Sequence, residues 1–151
     1  MPVIFRRAAR EDLPRIVALI AEDQIGQTRE DASMPLGDAY VEAFAAIERD
    51  ENQLLAVAQL DGAAIGCLQI TFIPGISRKG MWRGNIESVR VARNLRGQGI
   101  GRAFFDWAIA RCRERGCGLV QLTMDKRRND ASRFYQSLGF TPSHEGMKLS
   151  L

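Results

Sequence analysis

The sequence predicts a single α/β domain of the α+β kind, in which helices cover the faces of a mixed β-sheet. The chain has 151 residues, which is enough to bury one core. Short apolar runs typical of strands alternate along it with segments of helical periodicity, and it contains no internal repeat. These observations indicate one domain over residues 1–151 with strands and helices intermixed.

The first third of the chain predicts a strand and two helices. Residues 2–7, PVIFRR, are rich in strand-forming side chains. From residue 12 to about 23, apolar positions recur at helical spacing behind an Asp-Leu-Pro start. A polar segment at 24–38 indicates a loop, and a second amphipathic helix is expected over about 38–49.

The middle of the chain predicts three strands and a long helix. Residues 53–75 contain two strand-like runs separated by Asp61-Gly62, a dipeptide that favours tight hairpin turns. Another strand is expected at 85–91, followed by a helix over about 99–115.

The last third predicts a strand at 119–124, a short helix at 129–140 and one or two closing strands in PSHEGMKLSL, residues 142–151. The expected order of elements is therefore βααβββαβαβ.

Composition and charge exclude several classes of protein. No apolar run approaches the roughly 20 residues of a membrane span, and the N-terminal segment does not resemble a secretory signal, so we expect a cytoplasmic protein without membrane contact. Lys and Arg number 21 against 18 Asp and Glu, a net charge of +3. Since no aromatic-and-basic cluster is evident, we do not expect nucleic-acid binding.

The cysteines do not indicate a metal site. Cys67, Cys112 and Cys117 form an odd set without a CxxC pair or histidines at ligand spacing. We expect buried or half-buried thiols and no metal.

The most informative segment is RGQGIG, Arg96–Gly101, between a predicted strand and a predicted helix. It is not a dinucleotide fingerprint, because GxGxxG would need glycine where Arg102 stands, and the chain has no Walker Gly-Lys-Ser/Thr. Helix N-termini expose unpaired N–H groups and bind phosphate. Glycines keep side chains away from those groups, and flanking arginines add charge-assisted contacts. The segment thus predicts a phosphate cradle.

Two segments together resemble the GNAT superfamily of N-acetyltransferases. RGQGIG is similar to its acyl-CoA signature Arg/Gln-x-x-Gly-x-Gly/Ala, and NDASRFYQSLGF, residues 129–140, is similar to its second motif. The resemblance implies a strongly twisted mixed sheet of six to seven strands flanked by about four helices.

The resemblance also implies that acetyl-CoA is a co-substrate. Its pyrophosphate would lie on the backbone from Gly97 to Arg102, and its pantetheine arm would pair along the strand edge. The implied cofactor-binding residues are Val89, Arg90, Val91, Arg96, Gly97, Gln98, Gly99, Ile100, Gly101, Arg102 and Asn129.

Tyr135 matches the family position that protonates the departing sulfur. Glu87, on the strand leading to the slot, is the candidate general base, although a plain ion pair with an arginine such as Arg83 or Arg90 is equally compatible with its position. His144, the one histidine, is the weaker candidate base.

The acceptor is expected to be a primary amine of a small molecule or a peptide. Its pocket would be formed by residues 24–38, preceded by the acidic Asp23, and by the basic loop 74–84, whose opposite charges leave its class open. A non-catalytic acyl-CoA-binding sensor or partner subunit is the alternative function, and a homodimer is a possible assembly.

Overall fold

The computed structural model describes residues 2–23, 25–128 and 130–151. The strands are β1 (Ile4–Arg7), β2 (Gln53–Leu60), β3 (Ala63–Ile73), β4 (Arg83–Val91) and β5 (Leu119–Gln121). The helices are α1 (Leu13–Ala21), α2 (Asp38–Arg49), the single turn α3 (Ser77–Gly80), α4 (Ile100–Glu114) and α5 (Ala131–Ser137). Short 3-10 turns occupy Arg10–Asp12, Gly26–Thr28 and Arg93–Leu95.

The strands form one mixed sheet in the order β1-β2-β3-β4-β5. Neighbouring strands are antiparallel from β1 to β4, whereas β4 and β5 run parallel. A parallel neighbour requires a crossover, and α4 supplies it. The α/β class predicted from the alternation of strand and helix patterns is therefore confirmed.

The β2–β3 hairpin forms where the sequence predicts it. Asp61 and Gly62 both have positive φ, 50° and 80°, the left-handed conformations that a tight two-residue turn demands. This turn places Leu60 opposite Ala63, and a register shift between Ala58 and Gln59 then brings Val57 opposite Cys67.

The core lies under the middle of the sheet. Residues 54–58 of β2 are all buried, and consecutive strand residues point to opposite faces, so both faces of the sheet are covered. Phe104 and Phe105 of α4 are fully buried, and the Phe104 ring stacks on Phe5 at 4.9 Å between centroids. Ile16 and Leu19 of α1 are buried in the same cluster.

The expected number of strands is wrong in detail, because the described residues form five strands rather than six or seven. Residues 142–151, predicted as one or two strands, have no regular structure and are exposed. An alternating pattern makes a segment fit for a strand, but a strand also needs a neighbouring edge to pair with. The strand predicted at 119–124 is shorter than expected, because β5 ends at Gln121.

Within the described part of the chain, no helix has the length and apolar character needed to cross a membrane.

Candidate active site

A gap in the sheet defines the site. β5 pairs with β4 only at Arg83–Leu119, Gly84–Val120 and Asn85–Gln121, so residues 86–91 of β4 have no strand partner on that side among the described residues. The other edge of β4 stays paired with β3 as far as Val91, which lies opposite Gly66. The gap is therefore a slot bounded by the backbone of one intact strand.

A β-bulge lies in β4 beside this slot. The register with β3 jumps between Cys67–Arg90 and Gln69–Glu87, which leaves an extra residue on β4. Ser88 has a φ of 56°, an uncommon conformation outside glycine, and its carbonyl accepts a hydrogen bond from Cys67 Sγ at 3.5 Å. Bulges bend strands and re-aim side chains beside active sites. This one divides Glu87 from the Val89–Val91 segment.

The backbone of Val89 and Val91 faces the slot. Ala92 donates its N–H to Ile65 of β3 at 2.7 Å, and because backbone groups alternate in direction along a strand, Val91 and Val89 point away from β3. Their carbonyls accept bonds from guanidinium groups, Arg96 Nε on Val91 O at 3.2 Å and Arg90 Nη1 on Val89 O at 2.8 Å. Polar strand backbone is thus available at the slot edge.

The glycine segment lies at the N-terminus of α4, and its glycines differ in their surroundings. Gly97 and Gly99 have φ of 80° and 82°, and a Cβ on either would meet no atom within 4 Å, so both combine a left-handed backbone with open space. Gly101 differs, because a Cβ there would lie 3.6 Å from Phe134 of α5. The first two glycines therefore open the loop, while the third lies on the side of α4 that faces α5.

The side chains around this loop have distinct roles. Gln98 is exposed, whereas Ile100 is buried and anchors the first turn of α4 in the core. Arg96 lines the slot, but Arg102 turns away, since its Nη2 donates to Ser137 O at the end of α5 at 3.2 Å. Both flanking arginine side chains were expected to contact a phosphate. Of the two, only Arg96 lies where its side chain could do so.

Tyr135 lies in an aromatic cluster beside the slot. Its ring packs edge-on against Phe105 at 5.5 Å and against Phe140 at 6.1 Å between centroids. Burial raises the pKa of the Tyr135 hydroxyl, and the positive charges of Arg90 and Arg128 partly oppose that rise. Because that pKa is raised above its ordinary value of about 10, the hydroxyl is protonated at neutral pH and can donate a proton.

A half-buried charge cluster joins the three segments around the slot. Asp23 Oδ2, after α1, lies 2.5 Å from Arg128 Nη1 and 3.2 Å from Arg90 Nε. The second contact is close in distance but not aligned as a hydrogen bond, since Arg90 Nε has no hydrogen-bond partner. Asp23 also accepts the Gly26 N–H. One carboxylate thus holds two cations of β4 and of the loop after β5.

Electrostatics in this cluster favour the ion pairs. Burial by itself raises the pKa of Asp23, but the hydrogen bond from Arg128 and the charge of Arg90 outweigh it, so this pKa lies below its usual value. Burial, followed by repulsion from Arg128, lowers the pKa of Arg90. Two guanidinium groups against one carboxylate leave the cluster net positive.

A cavity of about 630 Å³ opens above this cluster. It lies between the segment after α1, the loop after β4 and the loop after β5. Four arginines and two aspartates among its lining residues give it a positive balance, so it suits an anionic ligand. The charged lining residues are Asp23, Arg93, Arg96, Arg127, Arg128 and Asp130.

The two candidate bases lie apart. Glu87 is exposed on β4 on the far side of the bulge from Val89, and it forms no ion pair among the described residues, neither with Arg83 nor with Arg90. His144 lies in the exposed 141–151 segment, where its Nδ1 is 2.7 Å from Ser143 Oγ. Asn129, predicted to contact the pantetheine arm, lies outside the described residues.

The acidic residues near the expected acceptor loop are already engaged. Asp23 is held by two arginines, Glu30 accepts from Arg29 and from the Tyr40 hydroxyl, and Asp31 accepts from Ser33. These carboxylates are therefore poorly placed to attract a cationic amine.

Comparisons with known proteins agree with this geometry. The model of the Acetyltransferase (GNAT) family matches residues 16–140. The chain belongs to the GNAT acetyltransferase family. The resemblance inferred from the two motifs is thus confirmed.

Relatives of this GNAT chain span different functions by name. It is 31% identical over 145 residues to aminoalkylphosphonate N-acetyltransferase of Salmonella typhimurium, covering 95% of this chain and 89% of the relative. A match to glucosamine 6-phosphate N-acetyltransferase of Trypanosoma brucei brucei is 31% identical over 93 residues, 62% of this chain and 61% of the relative. A crystal structure described as a transcriptional regulator from Bacillus halodurans C-125 is 47% identical with a TM-score of 0.97, covering 99% and 100% of the two chains.

Several residues of this GNAT site were not predicted as site residues. Arg93, Arg127 and Arg128 line the cavity, and Asp23 was expected at the acceptor loop rather than beneath the slot. The run Lys126-Arg127-Arg128 was a visible signal, since three consecutive cations directly precede the second motif. Nothing in sequence spacing could place Asp23 against Arg128, which is 105 positions away.

The thiols match their expectation. Cys67 and Cys112 are buried and Cys117 is half-buried, all three unbridged. Burial raises the pKa of Cys67 and of Cys112 to about 12, so neither is a nucleophile at neutral pH. Among the residues that the structure describes, no three metal-ligating side chains come together.

Proposed function

We propose that this GNAT protein transfers the acetyl group of acetyl-CoA to the primary amine of a small anionic molecule. The observation that carries the proposal is the slot between β4 and β5, which opens onto the glycine loop at the start of α4 and lies beside Tyr135. Each part of acetyl-CoA then faces protein groups that can bind it.

The pyrophosphate is held by the backbone from Gly97 to Arg102. The first turn of α4 supplies N–H groups without helical partners and the positive end of the helix dipole. No acidic residue lies in that turn, and the space beside Gly97 and Gly99 is open, so an anion can reach the amides. Arg96 and Gln98 add charged and polar donors.

The pantetheine arm pairs with β4 in place of a strand. It is a chain of amides, and the Val89–Val91 edge offers the alternate donors and acceptors that a peptide strand would use. Arg96 and Arg90 now bond the Val91 and Val89 carbonyls, so those guanidinium groups turn outward when the arm binds. The Val91 N–H is then close to the thioester oxygen.

The reaction is direct aminolysis. The neutral amine attacks the thioester carbonyl carbon, a C–N bond forms, and the C–S bond breaks to release the thiolate of CoA. Tyr135 donates its hydroxyl proton to that thiolate, for which its protonated state at neutral pH is suited. Before the attack, Glu87 takes a proton through water from the substrate ammonium and so forms the neutral amine, since it is exposed to solvent. The second proton leaves the amine nitrogen as the amide forms and returns through water to Tyr135.

The acceptor class rests on charge and on the named relatives. The cavity is net positive, which favours an amine that also carries a phosphonate or phosphate group. Both curated relatives act, by name, on amines of that kind. A peptide amine is the competing acceptor class.

The test is thiol release from acetyl-CoA in the presence of four amines. They are an aminoalkylphosphonate, glucosamine 6-phosphate, an alkylamine of matched length without the anion, and a peptide with a free N-terminus. We expect kcat/KM for a phosphonate or phosphate amine to exceed that of the neutral amine by at least about tenfold, the value of one charge-assisted contact. An equal kcat/KM for the neutral amine would contradict the anionic acceptor class, but it would still support the acetyltransferase activity.

A second candidate is an acyl-CoA sensor without turnover, because a 47% identical protein is described as a transcriptional regulator. Tight CoA binding without thiol release on any amine would favour the sensor and contradict the transferase.

A further inference from the structure

Two consecutive residues after α1 hold arginines from both walls of the cavity. Arg93 donates an Nη2–H to the Glu22 carbonyl at 2.7 Å, and its backbone N–H donates to the Glu22 carboxylate at 3.0 Å. Asp23, the next residue, accepts a hydrogen bond from Arg128. Arg93 belongs to the loop after β4 and Arg128 to the loop after β5. Glu22 and Asp23 therefore fix two guanidinium groups, one from each wall, at neighbouring points of the lining.

The contacts of these two arginines leave most of their donors available. A guanidinium carries five N–H donors in one plane. Among the described residues, the Arg93 side chain uses one of them, on a neutral carbonyl, and the Arg128 side chain uses one, on Asp23. Arg93 has no carboxylate partner within the described ranges. Since such planar groups bind phosphate-like anions through paired hydrogen bonds, both side chains can still take a ligand anion.

The other charged residues of the lining are engaged elsewhere or exposed to water. Arg127 donates Nε and Nη2 to the two carboxylate oxygens of Asp125, at 2.9 and 2.7 Å, which closes an ion pair within one loop. Arg96 lies at the slot edge, where it serves the pyrophosphate in the proposed function. Asp130 is exposed, so water and salt screen its repulsion of an anion. The two arginines held by residues 22 and 23 are thus the lining cations left for the acceptor.

We propose that Arg93 and Arg128 clamp the phosphonate or phosphate group of the acceptor between them, and that Glu22 and Asp23 position this clamp. The assignment rests on the proposed function, because it gives binding residues to the anion of the same acceptor. Two guanidinium groups on opposite walls match a tetrahedral anion that carries up to two charges on three oxygens. Asp23 also lies 3.2 Å from Arg90 Nε, so one carboxylate faces two cations and orients Arg128 without cancelling the positive charge.

The first test compares variants on two amines, an aminoalkylphosphonate and an alkylamine of matched length without the anion. Arg93→Gln and Arg128→Gln should each lower kcat/KM for the phosphonate amine roughly 10- to 100-fold, the value of one charge-assisted contact, and leave the neutral amine within about twofold. Arg127→Gln is the matched control and should change neither value, because Arg127 is paired with Asp125. Arg128→Lys keeps the charge without the planar fork and should recover only part of the loss.

The outcomes separate failure of the clamp from failure of the proposed function. An unaltered chain that acetylates the neutral amine equally well contradicts the anionic acceptor class, and the clamp with it. A preference for the phosphonate amine that survives in both Gln variants overturns the clamp alone. Equal losses for the two amines also overturn it, because a defect in folding or in CoA binding affects both amines alike.

The second test uses the unaltered chain and methylphosphonate as the probe. This anion should inhibit competitively against the phosphonate amine and not against acetyl-CoA, and its inhibition constant should rise roughly tenfold or more in Arg93→Gln. Calorimetric affinity for CoA should stay unchanged in Arg93→Gln and Arg128→Gln, which also shows that both variants fold. Competition against acetyl-CoA, or a loss of CoA affinity in either variant, would assign these arginines to the phosphates of CoA and overturn the proposal.

Discussion

The two ends of the sheet differ in how deeply their residues are buried. At β2 and β3, consecutive residues are fully buried and α4 presses two phenylalanines into the core. At the other end, β5 has three half-buried residues and α5 has no buried residue at all. Low local burial is typical of the parts of a protein that bind and move. The comparison indicates that stability resides around β2, β3 and α4, while the proposed acyl-CoA site lies at the thinly packed β4–β5 end.

The largest effect on stability should come from the packed end. Phe104→Ala removes a fully buried ring stacked on Phe5 and leaves a cavity, so we expect a loss of about 3–5 kcal/mol in unfolding free energy by urea titration. Trp82→Ala, at a residue that is 36% exposed, should cost less, about 1–2 kcal/mol. Comparable losses would show that the two ends do not differ.

At the open end, Tyr135→Phe should change catalysis without changing stability. The ring and its packing stay, while the proton donor is lost, so we expect kcat to fall roughly 100-fold with little change in the acetyl-CoA KM. Urea unfolding at pH 7 serves as the control for folding. A variant of unchanged kcat would remove Tyr135 from the mechanism.

The pH profile of kcat gives an independent view of Tyr135. Its folded pKa is raised, so the hydroxyl stays protonated up to and above about pH 10, the ordinary tyrosine value. Any stability from this shift is present below that value and is lost as pH rises through the folded pKa. We expect no alkaline fall in kcat from this group below about pH 10, and a fall near pH 8 would assign the acid to another residue.

The charge cluster under the slot should contribute an intermediate amount of stability. Asp23→Asn leaves Arg90 and Arg128 facing each other without a counter-charge, with an expected loss of roughly 1–3 kcal/mol at pH 7. The folded pKa of Asp23 is lowered, so its contribution is present above about pH 3.9, the unfolded value, and is lost as pH falls through the folded pKa.

The difference between Asp23→Asn and the unaltered chain should therefore vanish in strong acid. Asp125→Asn is the matched control, since Asp125 pairs with the exposed Arg127 and surface pairs contribute little. A difference that persists unchanged at low pH would mean that Asp23 acts through packing rather than charge.

The smallest expected effect is a difference in CoA binding between variants at two glycines that have the same backbone conformation. Gly99 and Gly116 lie at the two ends of α4 with φ of 82° and 78°, and a Cβ on either meets no atom within 4 Å. Alanine at each should cost about 1 kcal/mol of stability. Only Gly99→Ala should also weaken CoA binding, by about tenfold in a calorimetric titration. Equal CoA affinity in both variants would contradict the assignment of this loop to the cofactor site.

Sequence reasoning succeeded where local chemistry decides the structure. The Asp61-Gly62 turn, the 38–49 helix and the glycine loop before α4 each depend on residues within a few positions of one another. It failed for residues 142–151, because pairing depends on where an edge lies rather than on the pattern of the strand.

The candidate site divides in the same way. The motifs located the loop and Tyr135, whereas the Asp23–Arg128 ion pair joins segments far apart in the chain. The bulge at Ser88 was also invisible in sequence, since an ordinary serine occupies the positive-φ position.

The most direct test of the account is an amide NMR titration of the unaltered chain with CoA. We expect the largest shifts at Val89–Val91 and at 97–102, with the amides of β2 nearly unchanged, because the slot and the glycine loop hold the ligand. Saturable CoA binding with shifts confined to other surfaces would contradict it.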